Sequence, residues 1–311
     1  MNNIICIAGP TASGKTALAV ELAKALNGEV VSCDSMQVYR HMDIGTAKPT
    51  REEMQGIVHH MLDVAEPDED FSVSRYCFLA SGIVDDIVAR GKTAIIAGGT
   101  GLYMDSLIKG NDFAPFPSTG MREKLEAQAD AQGMEAMLSL LNTIDPEAGT
   151  RLHLKDRKRI IRALEVYYET GETITAHNKK TQAIPPKYTP LWLGLDFEDR
   201  AQLYSRIDRR VDIMLEAGLV EEIQNLLSKG IPPKCTAMQA IGYKEFVDAL
   251  SGQISIAEAA DQVRQSSRHY AKRQLTWFRR NPNMHWLIRK PNDDFEKILA
   301  DARQIVHEFD N

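Results

Sequence analysis

Cysteine is scarce in this chain. The 311 residues include four cysteines, at positions 6, 33, 77 and 235, and no two of them are spaced as in a metal-binding or disulfide motif. This pattern excludes a small fold held together by disulfides and a zinc site built on paired cysteines. We therefore expect reduced thiols and a cytoplasmic protein.

A long apolar run is also missing. No segment approaches the roughly 20 apolar residues that are needed to span a bilayer. The first ten residues, MNNIICIAGP, have no basic residue before a short apolar stretch, which argues against a signal peptide. The sequence therefore predicts a protein without a membrane segment.

An excess of positive charge is absent too. The chain has 37 Lys and Arg residues against 43 Asp and Glu, for a formal net charge of −6. This excludes a protein that coats nucleic acid by charge alone, but local basic patches remain possible. The composition, 43% hydrophobic and 26% charged, is that of a folded chain. Its length suggests about two domains.

The first hundred residues alternate between strand-like and helix-like patterns. Apolar runs typical of buried strands occupy residues 3–8, 29–33 and 93–97. Residues 17–26 and 74–89 have the spacing of helices. Such alternation is typical of a parallel sheet with helices on its faces, so we predict a doubly wound α/β core.

The pattern changes after Gly110. Proline-containing breaks occupy residues 113–120 and 185–190, and residues 121–182 between them have helical patterns only. A strand-like run follows at 191–195, and long helical stretches follow at 198–229 and 255–280. We therefore expect an all-helical insertion, residues 113–186, in a core formed by residues 1–112 and 187–311.

A phosphate-binding motif, G-x-x-x-x-G-K-T, lies between the first strand and the first helix. Its glycines let the backbone approach phosphate oxygens, and amides at the helix N-terminus point toward the anion. The lysine adds positive charge, and the threonine hydroxyl can ligate Mg²⁺. The core is thus expected to be P-loop NTPase-like. The predicted phosphate-binding residues are Gly9, Pro10, Thr11, Ala12, Ser13, Gly14, Lys15 and Thr16.

Two companions of this motif in nucleotide hydrolases are missing. The strand at 93–97 runs into Gly98-Gly99-Thr100 without the acidic residue that holds Mg²⁺ for attack on a terminal phosphate. The Asn-Lys-x-Asp motif that reads guanine is absent as well, because Asn178-Lys179 is followed by Lys180-Thr181. The loop is therefore expected to hold a phosphorylated substrate without hydrolysing a nucleotide.

An acidic residue, Asp34, follows the second predicted strand. Ligands of open parallel sheets bind beyond the carboxyl ends of the strands, so Asp34 would face the phosphate loop. It could accept a proton from a nucleophile there. Asp and Ser are also residues that commonly cap helices and turns. Position alone therefore leaves open whether Asp34 is a cap or a proton acceptor.

Two segments concentrate positive charge. Residues 151–162 contain six Lys or Arg and one Asp, and residues 268–280 contain five Lys or Arg and no acid. Arginines bind phosphates and aromatic side chains stack on unpaired bases, so these segments indicate a nucleic-acid surface. Trp277 and Phe278 lie in the second segment, but their spacing also fits the hydrophobic core.

A series of motifs resembles the bacterial tRNA dimethylallyltransferases, also called tRNA isopentenyltransferases. It covers nearly the whole chain in the family's order. Besides the phosphate loop, the motifs are residues 34–39, 42–49, 59–63, 98–103, 156–166, 240–245 and 272–279.

This resemblance implies a reaction. The dimethylallyl group of dimethylallyl diphosphate would move to the exocyclic N6 amine of the adenosine just 3′ of a tRNA anticodon, and diphosphate would leave. The missing acid is then explained, because no phosphoryl group is transferred. The resemblance assigns Asp34 as general base and Thr16 to diphosphate and Mg²⁺. It places a diphosphate-binding arginine at Arg206, with Arg210 as second choice and a solvated helix face as the alternative for both.

The resemblance and the basic segments together imply a tRNA surface. The target adenine would have to leave its stack to reach the site. We expect a monomer with tRNA and dimethylallyl diphosphate as partners. The predicted tRNA-binding residues are Asp34, Ser35, Met36, Gln37, Thr100, Arg122, Arg157, Lys158, Arg159, Lys272, Arg273, Gln274, Trp277 and Arg279.

Two other classes of function share some of these features. A small-molecule kinase would explain the phosphate loop, but neither the basic insertion nor the missing acid. A non-catalytic phosphate-loop module that binds RNA would explain the charge, but gives Asp34 no role.

Overall fold

In the computed structural model, which describes residues 4–111 and 119–310, six strands form one parallel sheet. Their order across the sheet is β3-β2-β4-β1-β5-β6, and every paired neighbour runs parallel. The predicted P-loop-like α/β fold is confirmed. The strands are β1 (Ile4–Ala8), β2 (Gly28–Ser32), β3 (His59–His60), β4 (Thr93–Gly98), β5 (Leu191–Phe197) and β6 (Met284–Arg289).

Two compact units make up the chain: Met1–Gly110 with Lys187–Asn311, and Asn111–Pro186. The helices of the first unit are α1 (Lys15–Ala25), α2 (Arg51–Met54), α3 (Val73–Ala89), α4 (Gly101–Lys109), α9 (Arg200–Glu216), α10 (Leu219–Ser228), α11 (Lys244–Leu250), α12 (Ile256–Phe278) and α13 (Phe295–Asp310). Those of the second unit are α5 (Met121–Ile144), α6 (Pro146–Arg151), α7 (Arg157–Thr170) and α8 (Ile174–Ala183).

The central strands are apolar because both of their faces are covered. All residues of β1 and β5 are buried, as expected for parallel strands between helical layers. Leu18 and Leu22 of α1 pack on the same cluster as Ile7 and Leu193 of the sheet. Each such buried side chain contributes roughly 1.5–3 kcal/mol of hydrophobic stabilisation.

The insertion has a core of its own. Leu125, Met137 and Leu141 of α5 pack against Ile160 and Leu164 of α7. Its described residues, 119–186, contain helices and no strand. The proline-containing break predicted at 113–120 lies outside the described residues except for Thr119 and Gly120.

Several elements differ from the sequence-based expectation. The stretch at 198–229 is two helices, because Gly218 adopts a left-handed φ of 97° between α9 and α10. The strand β6 was not predicted, since only Met284 and Leu287 of its six residues are buried at the sheet edge and no continuous apolar run marks it. The two-residue strand β3 is too short to give a pattern. No helix of the described residues is long and apolar enough to cross a bilayer.

Candidate active site

Three predicted site segments meet at the carboxyl edge of the sheet. β4 lies between β1 and β2, so the segments that follow these strands are neighbours. They carry the phosphate loop after β1, Asp34 after β2 and Thr100 after β4. Parallel strands place all their carboxyl ends at one edge, which is where ligands of such sheets bind.

The phosphate loop needs its glycines for two different reasons. A Cβ on Gly9 would lie 2.9 Å from the carbonyl oxygen of Leu195, so only glycine allows this close approach. Gly14 has a left-handed φ of 97° where α1 begins. Lys15 is the first helical residue, so the unsatisfied amides of the first turn lie beside the loop.

Three cations contact the loop. Lys15 Nζ donates to the Pro10 carbonyl oxygen at 2.6 Å, and Arg206 Nε donates to the carbonyl oxygen of Ala12 at 2.9 Å. Arg210 Nη1 lies 3.4 Å from Thr11 Oγ1. Both arginines of α9 therefore reach the predicted phosphate site, which the spacing of four residues on one helix face allows.

The electrostatics of this cluster favour an anion. Burial, reinforced by the Arg210 cation and opposed by Asp34, lowers the pKa of Lys15 to about 7. Burial also lowers the pKa of Arg210, again against the effect of Asp34. Because cations that lie close together weaken each other's charged state, a bound anion would stabilise all of them.

Asp34 forms a turn with one carboxylate oxygen. Its Oδ1 accepts from the backbone N–H of Met36 at 2.8 Å and from that of Gln37 at 3.4 Å. Within the described residues no hydrogen bond reaches Oδ2. Capping and proton acceptance are therefore compatible, because each can use a different oxygen of the same side chain.

The segment after Asp34 is fixed by side chains from other loops. Thr100 Oγ1 accepts from the Ser35 backbone N–H at 3.1 Å. The Gln37 amide donates to the Ala47 carbonyl oxygen at 3.0 Å and accepts from Ser32 Oγ at 2.9 Å. Thr100 and Gln37, predicted as tRNA contacts, thus position this turn in the structure.

Glu222 forms a brace between two loops that was not predicted from the sequence. Its carboxylate accepts from the backbone N–H groups of Asp43 and Ile44, both at 2.8 Å, and from the Tyr243 hydroxyl at 2.6 Å. The Tyr243 ring lies against Gly45, where a Cβ would be 2.4 Å from the ring. The segments 42–49 and 240–245, which resemble the family's motifs, both contain residues of this brace. Their presence in the sequence was the one indication that these residues interact.

We expect Glu222→Ala to destabilise the protein by about 1–3 kcal/mol, because loop N–H groups and a buried hydroxyl lose their acceptor. Urea unfolding monitored by circular dichroism would measure this. Glu221→Ala is the matched control, since that side chain is exposed on the same helix. Equal unfolding midpoints for the two variants would contradict a brace.

The basic segment of α12 contains exposed residues without an ion pair in the described chain and residues that are buried or hydrogen-bonded within the protein. Lys272 and Arg273 are exposed, and no ion pair involves either within the described residues. Gln274 is buried. The Trp277 indole N–H donates to Asp105 Oδ2 at 2.9 Å, and Arg279 Nη2 donates to Asp196 Oδ2 at 2.8 Å. Of the predicted tRNA-binding residues here, Lys272 and Arg273 are the cations without an ion pair in the part of the chain that the structure describes, and the Arg273 guanidinium lies 5.5 Å from the centroid of the Tyr270 ring.

Phe278 is a core residue. Its side chain is 1% exposed, which decides between the two roles that its spacing allowed. Trp277 is half-buried against Gly101, where a Cβ would lie 2.3 Å from the indole ring.

The basic segment of the insertion is partly neutralised within its own unit. Arg157 pairs with Glu126 at 2.6 Å and with Asp130 at 2.7 Å. Arg159 pairs with Asp156 at 2.9 Å, while Lys158 is exposed. The acids of α5 are distant in sequence, so the local charge count did not include them.

Arg122 belongs to the same unit. Its guanidinium pairs with Glu165 at 2.8 Å, and its side chain is about half exposed.

Protein ligands for a metal are few. No group of three or more His, Cys, Asp or Glu side chains suited to a metal ion occurs in residues 4–111 and 119–310. Thr16 supplies one hydroxyl at the start of α1, beside the loop. This donor set fits Mg²⁺ that is held mainly by substrate phosphates and water, as Mg²⁺ commonly is.

Comparison with known proteins places the chain in a family. The sequence model of IPP transferase matches residues 37–281. The chain belongs to the IPP transferase family. The resemblance described above is confirmed, and with it the expectation of a transferase that modifies tRNA.

Relatives of similar length support this family assignment. The tRNA dimethylallyltransferase of Acetivibrio thermocellus is 44% identical over 310 residues, 99% of each chain. That of a Thermoanaerobacter species is 48% identical over 297 residues, which are 95% of this chain and 94% of the relative.

Solved structures have the same fold. The full-length tRNA isopentenylpyrophosphate transferase of Bacillus halodurans superposes with a TM-score of 0.74 at 41% identity, over 99% of this chain and 96% of that one. A eukaryotic dimethylallyltransferase acting on tRNA gives 0.82 at 29% identity, over 98% and 79%.

Proposed function

We propose that this chain transfers the dimethylallyl group of dimethylallyl diphosphate to N6 of the adenosine 3′-adjacent to a tRNA anticodon and releases diphosphate. One observation carries the proposal. A cationic phosphate loop and a carboxylate with one uncommitted oxygen lie at the same sheet edge, on the loops either side of the turn that follows β4. The first suits a diphosphate leaving group, and the second suits the proton of an amine.

The phosphate loop would stabilise the leaving group. As the bond between the allylic carbon and the diphosphate oxygen breaks, negative charge grows on diphosphate. Lys15, Arg206 and Arg210 would contact that charge, as would the amides of the first turn of α1. When bound, Mg²⁺ would neutralise diphosphate oxygens beside Thr16.

Asp34 would complete the transfer. The amine nitrogen of adenine forms the new bond to the allylic carbon and must lose one proton. Oδ2 of Asp34 is the acceptor in this proposal, while Oδ1 keeps the turn in place. An aromatic amine is a weak nucleophile and a very weak acid, so proton removal accompanies or follows attack.

The reaction test is incubation with unmodified tRNA and labelled dimethylallyl diphosphate, followed by nucleoside analysis. The expected product is N6-dimethylallyladenosine beside the anticodon, with one diphosphate released per modified tRNA. Incubation with ATP and small hydroxylated compounds tests the kinase alternative. Stoichiometric tRNA binding without any label transfer would favour the regulatory module instead.

The exposed cations of α12 would bind tRNA. We expect Lys272→Ala with Arg273→Ala to weaken tRNA binding and to reduce the slope of log K against log salt by about 1.4–1.8, because each cation releases about 0.7–0.9 counterions. Binding titrations at several salt concentrations measure the slope. Lys24→Ala, in the last turn of α1, is the control. An unchanged slope would show that both cations belong to a solvated face.

The remaining tRNA contacts are part of the same proposal. Ser35 and Met36 lie at the Asp34 turn, whereas Arg122, Arg157, Lys158 and Arg159 belong to the insertion. We infer a cytoplasmic protein that is a monomer. Light scattering of the free protein would test its oligomeric state.

A further inference from the structure

A glutamine in the middle of the basic segment faces inward. Gln274 of α12 is 5% exposed, although its neighbours Lys272 and Arg273 are exposed. Its Oε1 accepts from the backbone N–H of Thr11 at 2.9 Å, and its Nε2 donates to the carbonyl oxygen of Gly99 at 3.0 Å. Both ends of the side-chain amide are therefore committed to backbone groups.

These two backbone groups belong to different loops. Thr11 lies in the phosphate loop after β1, and Gly99 lies in the turn after β4. A Cβ on Gly99 would be 2.1 Å from Gln274 Nε2, so the amide fits only beside glycine. The glutamine amide supplies an acceptor for the Thr11 N–H and a donor for the Gly99 carbonyl. It therefore holds the phosphate loop in one position.

A tyrosine extends this connection. Tyr270 stands one helical turn before Gln274. Burial raises the pKa of its hydroxyl to about 12, and interactions with Thr100 and Gln274 oppose that rise, so the hydroxyl lies near both side chains. Thr100 in turn accepts from the backbone N–H of Ser35. A continuous chain of contacts thus runs from the phosphate loop to the turn that holds Asp34.

We propose that Gln274 is a positioning residue that couples the phosphate loop to the Asp34 turn, and that it does not contact tRNA. The inference rests on the proposed function, in which the loop binds diphosphate. Gln274 fixes the Thr11 amide and thereby the start of the loop, whose later amides and Lys15 would receive the anion. Its helix carries the exposed Lys272 and Arg273, so tRNA binding and loop order share one structural element.

The test compares Gln274 with its neighbour. Gln274→Met keeps the side-chain length and removes both hydrogen bonds. We expect the Kd of inorganic diphosphate with Mg²⁺ to rise about tenfold, which corresponds to about 1.4 kcal/mol, because both hydrogen bonds that hold the loop are lost. Hydrogen exchange across residues 9–16 should quicken, and the Kd of tRNA should stay within twofold. Lys272→Ala is the matched control, because its exposed side chain lies two residues away on the same helix. It should weaken tRNA binding and leave diphosphate binding intact.

Tyr270→Phe guards against a folding defect. It keeps the ring and removes the hydroxyl, so the transfer rate should fall about threefold with an unchanged tRNA Kd. A Gln274→Met protein that binds diphosphate normally and tRNA weakly would overturn the proposal. The proposal would also be overturned if Gln274→Met lowered only the melting temperature and left the affinities for diphosphate and tRNA unchanged.

The outcome can be separated from a failure of the proposed function. If the wild-type protein does not bind diphosphate, or Lys15→Ala binds it equally well, the diphosphate site itself is wrong, and this inference fails with it. If wild type binds, Lys15→Ala does not, and Gln274→Met binds like wild type, only the role of Gln274 is wrong.

Discussion

Asp34→Asn is expected to lower the single-turnover rate of dimethylallyl transfer by about 10²–10⁴-fold, the range for loss of a general base. Asparagine keeps an oxygen that can accept from the backbone N–H groups of Met36 and Gln37, so the turn should survive. The amide cannot accept the proton of the amine. Because the lost interaction acts in the transition state, the affinities for tRNA and donor should change far less than the rate.

Asp34→Ala separates the two roles of the carboxylate. Its transfer rate should fall by the same factor as that of Asp34→Asn. In addition it should lose about 1 kcal/mol of stability, since the turn loses its hydrogen-bond acceptor. Single-turnover kinetics with both substrates saturating, beside a thermal melt, measure both effects. The exposed Asp68 provides a control carboxylate for Asp68→Asn. Destabilised Asp34→Ala protein with wild-type transfer would assign Asp34 to capping alone.

Lys15→Ala is expected to lower kcat/KM for the donor by about 10²–10³-fold, the range measured when one preorganised donor to a developing anion is removed. The cation lies at the first position of α1, beside the amides that would share the diphosphate charge. Lys24→Ala is the control on the same helix, since Lys24 lies in its last turn. Steady-state kinetics with varied donor and saturating tRNA measure the effect. A wild-type kcat/KM for Lys15→Ala would remove Lys15 from the site.

The same lysine predicts a pH dependence. Its pKa of about 7 in the free protein means that the ammonium loses its proton as pH rises through 7. A bound diphosphate would favour the charged form, so above pH 7 binding requires proton uptake, and affinity falls by up to tenfold per pH unit. Lys15→Arg stays charged and should lose this extra slope. Calorimetry in two buffers of different ionisation enthalpy counts the protons. An equal slope for both proteins would contradict the assignment.

The parts of the candidate site that are local in sequence are recognisable from the sequence. The phosphate loop needs glycines, a lysine and a threonine at fixed spacing within a few residues, so the sequence shows it whole. Asp34 was visible for a similar reason, because parallel strands place their carboxyl ends together. What position alone could not decide was its role, and the structure adds the observation that only Oδ1 is bonded within the described residues.

Charge patterns were less informative than they seemed in the linear sequence. The segment 151–162 counts one acid, yet Arg157 faces Glu126 and Asp130 of another helix. Arg279 likewise pairs with Asp196, which precedes it by more than eighty residues in the sequence. Helix packing brings these acids to the arginines, and a window along the sequence does not contain them.

The sequence by itself determined the α/β core, the helical character of the insertion, the phosphate loop and the family, since each depends on periodicity or on short motifs. Only the tertiary structure decided which side chains of a motif face inward. Gln274, Glu222 and Tyr243 act on loops far away in sequence, and their hydrogen bonds exist only when helices and sheet are assembled. The physical reason is that a hydrogen bond needs its two partners about 3 Å apart, and no spacing along the chain specifies that.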